Sequence, residues 1–124
     1  MLNNFLLIFL GGGIGSVLRF GISLLMMSVS KTVFPVATLL SNVISCTVLG
    51  VVVYLMQDKI NSDNALRFLL VTGFCGGFST FSAFSFETVE LIRSGNAFYA
   101  VLNIVVSLSS CLGIIYLLAI RSNA

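Results

Sequence analysis

The sequence predicts an all-α membrane protein of four transmembrane helices, the third of them broken, and three observations carry that prediction. The chain's 124 residues are 58% hydrophobic and only 8% charged, whereas a soluble domain carries about a quarter charged residues. Mean hydropathy is +1.14, and a chain this short makes one domain, residues 1–124, whose own core cannot take up so much apolar surface. Lipid must cover the remainder. Four stretches almost free of charge are each long enough for the ~20 apolar residues of a spanning helix, and only the third has a centre rich in glycine and hydroxyls.

The first helix is expected over roughly residues 2–29, interrupted by a single charge, Arg19. Its start could be mistaken for a secretory leader. Met1-Leu2-Asn3-Asn4 lacks a positive n-region, however, and the apolar run resumes after Arg19 for longer than an h-region allows, although Gly11-Gly12-Gly13 and Ser16 supply small residues. A retained spanning helix is expected instead. Lys31 and Pro35 mark a short connection, proline being suited to the first turn of a helix. The second helix is expected over roughly 34–56, with no charge. The run from Gln57 to Asn64 reads as a solvent loop.

The third helix is expected over roughly 66–94, closed by Glu87, Glu90 and Arg93, with Ser94-Gly95-Asn96 as a tight turn. Its centre runs from Thr72 through Gly73, Gly76, Gly77, Ser79 and Thr80 to Ser82. Glycine pairs weaken a helix and hydroxyls compete for its backbone bonds, so two half-helices with a break at 76–80 are expected. A break at membrane depth is tolerated only where it is buried in protein or lines a cavity, and discontinuous helices often coordinate ions. A glycine face for close packing is the bland alternative; Ser79-Thr80 directly after the glycines favours the break. The fourth helix is expected over roughly 97–120, uncharged and closed by Arg121.

With four crossings, Lys59, Arg67 and Arg121 share a side with the N-terminus, while Lys31 and Arg93 lie opposite. The positive-inside rule needs a clear excess to fix topology, and here it is nearly balanced. Either orientation is compatible with insertion, and a pair of opposed subunits can then assemble.

Three sets of residues inside the membrane could carry chemistry. Thr38, Ser41, Asn42 and Ser45 share one face of the second helix, and Asn103, Ser107 and Ser110 one face of the fourth. Hydrogen bonding between helices accounts for such stripes; a polar path accounts for them equally, and the absence of ionisable groups in them speaks against a proton relay. Phenylalanines crowd the third helix, with Phe81 and Phe84 neighbours on one face. Ring edges are positive and can meet an anion, although ordinary packing explains any single phenylalanine. Arg19, too costly to face lipid, either snorkels to an interface or sits beside an anion path or the break.

Several functions are excluded. The net charge of +2 is dispersed and leaves no nucleic-acid footprint. Histidine is absent and Cys46, Cys75 and Cys111 have no CxxC spacing, so a zinc site or disulfide scaffold is not expected and the cysteines read as small buried hydrophobes. There is no catalytic set of serine, histidine and aspartate, no paired intramembrane carboxylate, and Gly11-Gly12-Gly13-Ile14-Gly15 completes no phosphate-binding motif. The chain is not expected to be an enzyme.

The stretch from Gly73 to Glu87 resembles the signature of the Fluc (CrcB) fluoride channels, and Gly11 to Phe20 resembles that family's first-helix motif. Asn42, preceded by Pro35 and Thr38, sits where the second helix carries asparagine. The likeness covers the whole chain. It implies a fluoride-selective channel in the cell inner (plasma) membrane that exports fluoride passively and so relieves fluoride toxicity. The implied assembly is a dual-topology homodimer, two identical subunits inserted antiparallel in the lipid bilayer with two fluoride pores. The resemblance also implies a central structural sodium ion (Na+) held by the backbone carbonyls of Gly76 and Ser79. Phe81, Phe84 and Asn42 match residues lining the fluoride path; Ser82, Ser107 and Thr38 match polar positions near it, and Arg19 the first-helix arginine. Ala83 and Ser45 depart from the family's common threonine and usual glycine, and Asn103 stands where some members carry tyrosine. The rival readings are a small proton-coupled multidrug-type exporter, which needs a deep carboxylate that the sequence lacks, and a non-transporting assembly subunit, which needs only the close-packing glycines.

Overall fold

The computed structural model describes residues 1–122, and the regular elements among them are helical. Helix α1 spans Leu2–Val29; at ~1.5 Å per residue it exceeds the ~30 Å of a bilayer's hydrocarbon core. Ser30 ends it, its N–H bonding Met26 O at 2.7 Å while its own backbone turns extended. Pro35, whose missing N–H is no loss at a helix start, precedes α2, Val36–Leu55. The last turn of α2, Val51–Leu55, widens to π geometry and closes with Met56 N donating to Val51 O at 3.1 Å.

The run that reads as a solvent loop instead forms a short helix, α3, Gln57–Ser62. Its Ile60 is buried, which anchors the turn. Ser62 Oγ donates back to Asp58 O at 2.8 Å, and Asp63 Oδ1 caps the helix that follows by accepting from Leu66 N at 3.2 Å. Helix α4 covers 64–78, built from Asn64–Arg67, wide turns over Phe68–Cys75 and a last turn, Gly76–Phe78. Ser79 (φ −88°, ψ 159°) and Thr80 (φ −153°, ψ 117°) are extended, and α5 starts afresh at Phe81 and runs to Arg93. Gly95 at φ +84° supplies the left-handed residue that lets Asn96 N reach Leu91 O at 2.8 Å. Helix α6, Ala97–Ser122, completes the description.

Four helical stretches, Leu2–Val29, Val36–Leu55, Asn64–Arg93 and Ala97–Ser122, are long and apolar enough to cross a membrane. Within the bundle α4 lies on α1, while α2 and α5 lie on α6. The α1–α4 contact is made by backbone. A Cβ on Gly77 would run into the Gly12 carbonyl, one on Gly11 into Leu69 O, and one on Gly15 would stand 2.5 Å from Phe74 O. The two glycine-rich motifs thus interlock, as small residues do where no hydrophobic force drives helices together. Burial departs from that of a soluble domain. Ser41, Ser45, Thr88, Asn103 and Ser107 are buried, whereas Phe5, Phe9, Val17, Phe98 and Leu117 are exposed, the pattern lipid selects.

Candidate functional site

The site begins with diverted backbone donors. In a continuous helix Thr80 N–H would bond the Gly76 carbonyl, and Ala83 N–H the Ser79 carbonyl. The extended geometry of Ser79 and Thr80 sends both elsewhere. Thr80 N donates to Asn42 Oδ1 at 2.8 Å, and Ala83 N to Thr80 Oγ1 at 3.1 Å, which caps α5. Asn42 Nδ2 in turn donates to Thr80 O at 3.4 Å. One amide on α2 therefore satisfies both backbone groups of the residue at the discontinuity. Upstream, Cys75 O accepts from Ser79 N at 3.1 Å, Ser79 Oγ at 2.7 Å and Ser45 Oγ at 3.0 Å. Among the described residues no hydrogen bond reaches Gly76 O or Ser79 O. Gly76 is exposed, with nothing within 4 Å of where a Cβ would stand.

Beside the discontinuity lies a groove of about 210 Å³, walled by Asn42 and Cys46 of α2, Ser79, Thr80, Phe81 and Phe84, and Ser107 and Cys111 of α6. No charged side chain lines it. Phe81 and Phe84 meet edge-to-face, centroids 5.7 Å apart and planes at 89°. They differ in burial: Phe84 is 8% exposed and Phe81 78% exposed. Phe84 is held from behind by a relay of hydrogen bonds. Ser107 Oγ donates to Asn103 Oδ1 at 3.1 Å, Asn103 Nδ2 to Thr88 Oγ1 at 2.9 Å, and Thr88 Oγ1 to Phe84 O at 2.7 Å. Asn103, singled out in the sequence as a departure, is thus the link that ties α6 to α5.

Of the residues picked out from sequence, Asn42, Phe81, Phe84, Ser107 and Ser79 converge on the groove. Ser82 is exposed and stands 3.1 Å from Thr80 Oγ1. Arg19 lies beside the discontinuity, its Nε donating to Gly77 O at 3.3 Å next to Ser16 Oγ, which donates to the same carbonyl at 3.4 Å. Thr38 lines a second, larger cavity of about 590 Å³ and donates to Glu87 Oε1 at 2.6 Å. Glu87 Oε2 and the fully buried Ser41 Oγ have no partner among the described residues. In the sequence, Glu87 stands only as one of the residues that close the third helix. The available signal was its position seven residues after Thr80 on one helical face, with Thr38 four residues before Asn42 on the other.

The cysteines need correction. Only Cys75 is a buried small hydrophobe; Cys46 and Cys111 are half-buried and open onto the groove. Among the described residues no group of three or more histidine, cysteine, aspartate or glutamate side chains could hold a metal. At the discontinuity, among the described residues, the carbonyl oxygens of Gly76 and Ser79 are left without a hydrogen-bond donor. A groove of neutral donors and ring edges with no charge suits a small anion held weakly.

Comparison with known proteins adds the following. The family model for CrcB-like protein, Camphor Resistance (CrcB), matches residues 6–119. A protein named fluoride-specific ion channel FluC in Azobacteroides pseudotrichonymphae is 41% identical over 108 residues, 87% of this chain and 86% of the relative. Proteins of the same name in Coxiella burnetii (41% over 110 residues, 88% and 89%) and Phocaeicola vulgatus (43% over 94 residues, 76% and 77%) are similar to this chain in the same way.

Proposed function

Because this chain belongs to the CrcB-like family, we propose that it is a fluoride-selective channel, which lets fluoride leave the cell passively and so relieves fluoride toxicity. It is a multi-pass membrane protein, of the inner membrane in bacteria, and a channel rather than an enzyme. The observation that carries the reading is the convergence of Asn42, Phe81, Phe84 and Ser107 on one uncharged groove at the helix discontinuity.

Fluoride is small and strongly hydrated, and taking it from water without compensation costs far more than any weak site returns. The groove offers compensation in parts. Asn42 Nδ2 has two N–H bonds, of which one is spent on a long contact to Thr80 O. Ser107 Oγ donates to Asn103 in this arrangement and can turn its hydrogen to the groove instead. The two phenylalanines hold one ring edge against the other ring's face and leave further positive edges free. Several weak neutral sites favour entry without trapping the ion, as conduction demands. Thr38, one turn before Asn42 on α2, and Ser82, beside Thr80, extend the polar route in this reading.

The same reading gives the working unit as an antiparallel homodimer. What supports it is the three-to-two distribution of basic residues across the membrane, together with a Gly76 that faces open space on the subunit's surface. The carbonyls of Gly76 and Ser79, deprived of their helical donors, fit a hard monovalent cation such as sodium, since unwound carbonyls are its usual ligands. If sodium binds there, the Gly76 and Ser79 carbonyls would hold it, and its positive charge would favour the pairing of two such discontinuities. Arg19 on Gly77 O steadies the last turn of α4 from the other side.

The test is fluoride efflux from liposomes holding the purified protein, with chloride run in parallel. Rapid fluoride efflux without chloride efflux is expected; equal efflux of both ions, or none of either, contradicts the reading.

A further inference from the structure

We infer that Cys46 and Cys111 form a two-thiol site in the groove for a soft, two-coordinate metal ion, of which mercuric ion is the chemical type that fits best. Cys46 stands one turn after Asn42 on α2, and Cys111 one turn after Ser107 on α6, so the two polar stripes each end on a thiol. Both thiols are half-buried and both line the groove, one on each of two helices that pack together. Cys75 is withdrawn from the pair, buried with its Sγ on the Ser45 carbonyl at 3.7 Å.

The ligand class follows from number, softness and charge. Thiolate sulfur selects soft metals over magnesium or calcium. Zinc prefers four ligands, and the groove brings together two sulfurs with no carboxylate or imidazole. Mercuric ion is satisfied by two. On binding, both S–H bonds give up their protons to water and two S–Hg bonds form, with no electron transferred. Two positive charges replace two protons, so the uncharged groove stays neutral and no net charge is buried. A monovalent soft ion such as silver would leave one negative charge behind and is disfavoured at this depth.

The binding itself is independent of what the groove conducts; only the effect on flux rests on the proposed fluoride pathway. The test uses the purified full chain, reduced and desalted under nitrogen. Mercuric chloride is titrated while the S–Hg absorption band is followed. A maleimide then counts the thiols left free, and fluoride efflux is measured on the same samples. The unaltered protein should bind one mercuric ion at this site per subunit and protect two thiols together. Cys46→Ala and Cys111→Ala should each weaken binding by about a hundred-fold to ten-thousand-fold, because one of two preorganised ligands is lost, while Cys75→Ala should keep the site. Unchanged affinity in either single variant, or protection of only one thiol in the unaltered protein, overturns the inference without any need for the variants to conduct. Mercury bound to both thiols with fluoride efflux undiminished sustains the site and instead removes the groove from the fluoride pathway.

Discussion

The two halves of the third membrane span are held by different means. Its first half, α4, meets α1 mainly by close backbone approach, Gly73 and Gly77 fitted against Gly11, Gly12 and Gly15, with Ser16 and Arg19 donating to the Gly77 carbonyl. Its second half, α5, is mounted on α2 and α6 through side-chain hydrogen bonds, Asn42 to Thr80 and Asn103 to Thr88. The first half is sensitive to volume. The second keeps polar groups and two aromatic rings facing a groove, and is sensitive to chemistry. A chain that must pass an ion without losing its fold gains from keeping these demands on separate segments.

The largest effect expected is from Gly77→Ala. Its Cβ would strike the Gly12 carbonyl, so α1 and α4 must move apart, at a cost of about 1–3 kcal/mol or more. Loss of the monodisperse peak in size-exclusion chromatography, or a large fall in melting temperature, would register it. A Gly77→Ala protein as stable as the parent would show that the interlock is loose and erase the contrast. Next comes Asn42→Ala, which leaves the Thr80 N–H without an acceptor at a cost of about 1–3 kcal/mol. It should lower both melting temperature and fluoride flux. Asn42→Asp keeps an acceptor for Thr80 N, so it should retain more stability yet lose flux, because a carboxylate repels an anion wherever it is ionised.

A smaller, graded effect is expected from Asn61→Lys, in α3, combined with Asn64→Lys, at the start of α4, both exposed. Added positive charge should bias insertion one way and lower fluoride flux per milligram, read by protease accessibility and efflux together. Uniformly oriented protein that conducts normally would remove the antiparallel arrangement. The smallest effect belongs to Ser79→Ala. Cys75 O keeps Ser79 N and Ser45 Oγ after the hydroxyl is lost, so the change should stay within about 1 kcal/mol. Sodium-dependent thermal stabilisation should persist, since only the carbonyl is proposed as a ligand.

The membrane spans were legible because they depend on length and mean hydropathy, which are local properties of the chain. The glycine and hydroxyl run at 73–82 was also visible as a place where helical bonding weakens. Its partner was not. Asn42 and Thr80 are 38 residues apart, and Thr38 and Glu87 49 apart; no periodicity within one helix states which carbonyl or carboxylate a polar stripe will meet. The two candidate explanations for glycine therefore proved compatible: Gly73 and Gly77 pack on α1, while the extended residues begin directly after them. The helix at Gln57–Ser62 was missed for another reason. Its anchor is one buried isoleucine, and Ser62 bonds back to the Asp58 carbonyl; the same polar residues are equally at home in a loop.

The central claim is that α5 supplies chemistry to the groove, and Phe81→Ile and Phe84→Ile test it most directly. Isoleucine keeps apolar bulk but has no positive ring edge. Fluoride efflux from liposomes should fall about ten-fold or more in each variant, with the elution volume in size-exclusion chromatography and the sodium-dependent melting shift unchanged. Fluoride efflux equal to the parent's in both variants would contradict the account and leave Phe81 and Phe84 as packing residues alone.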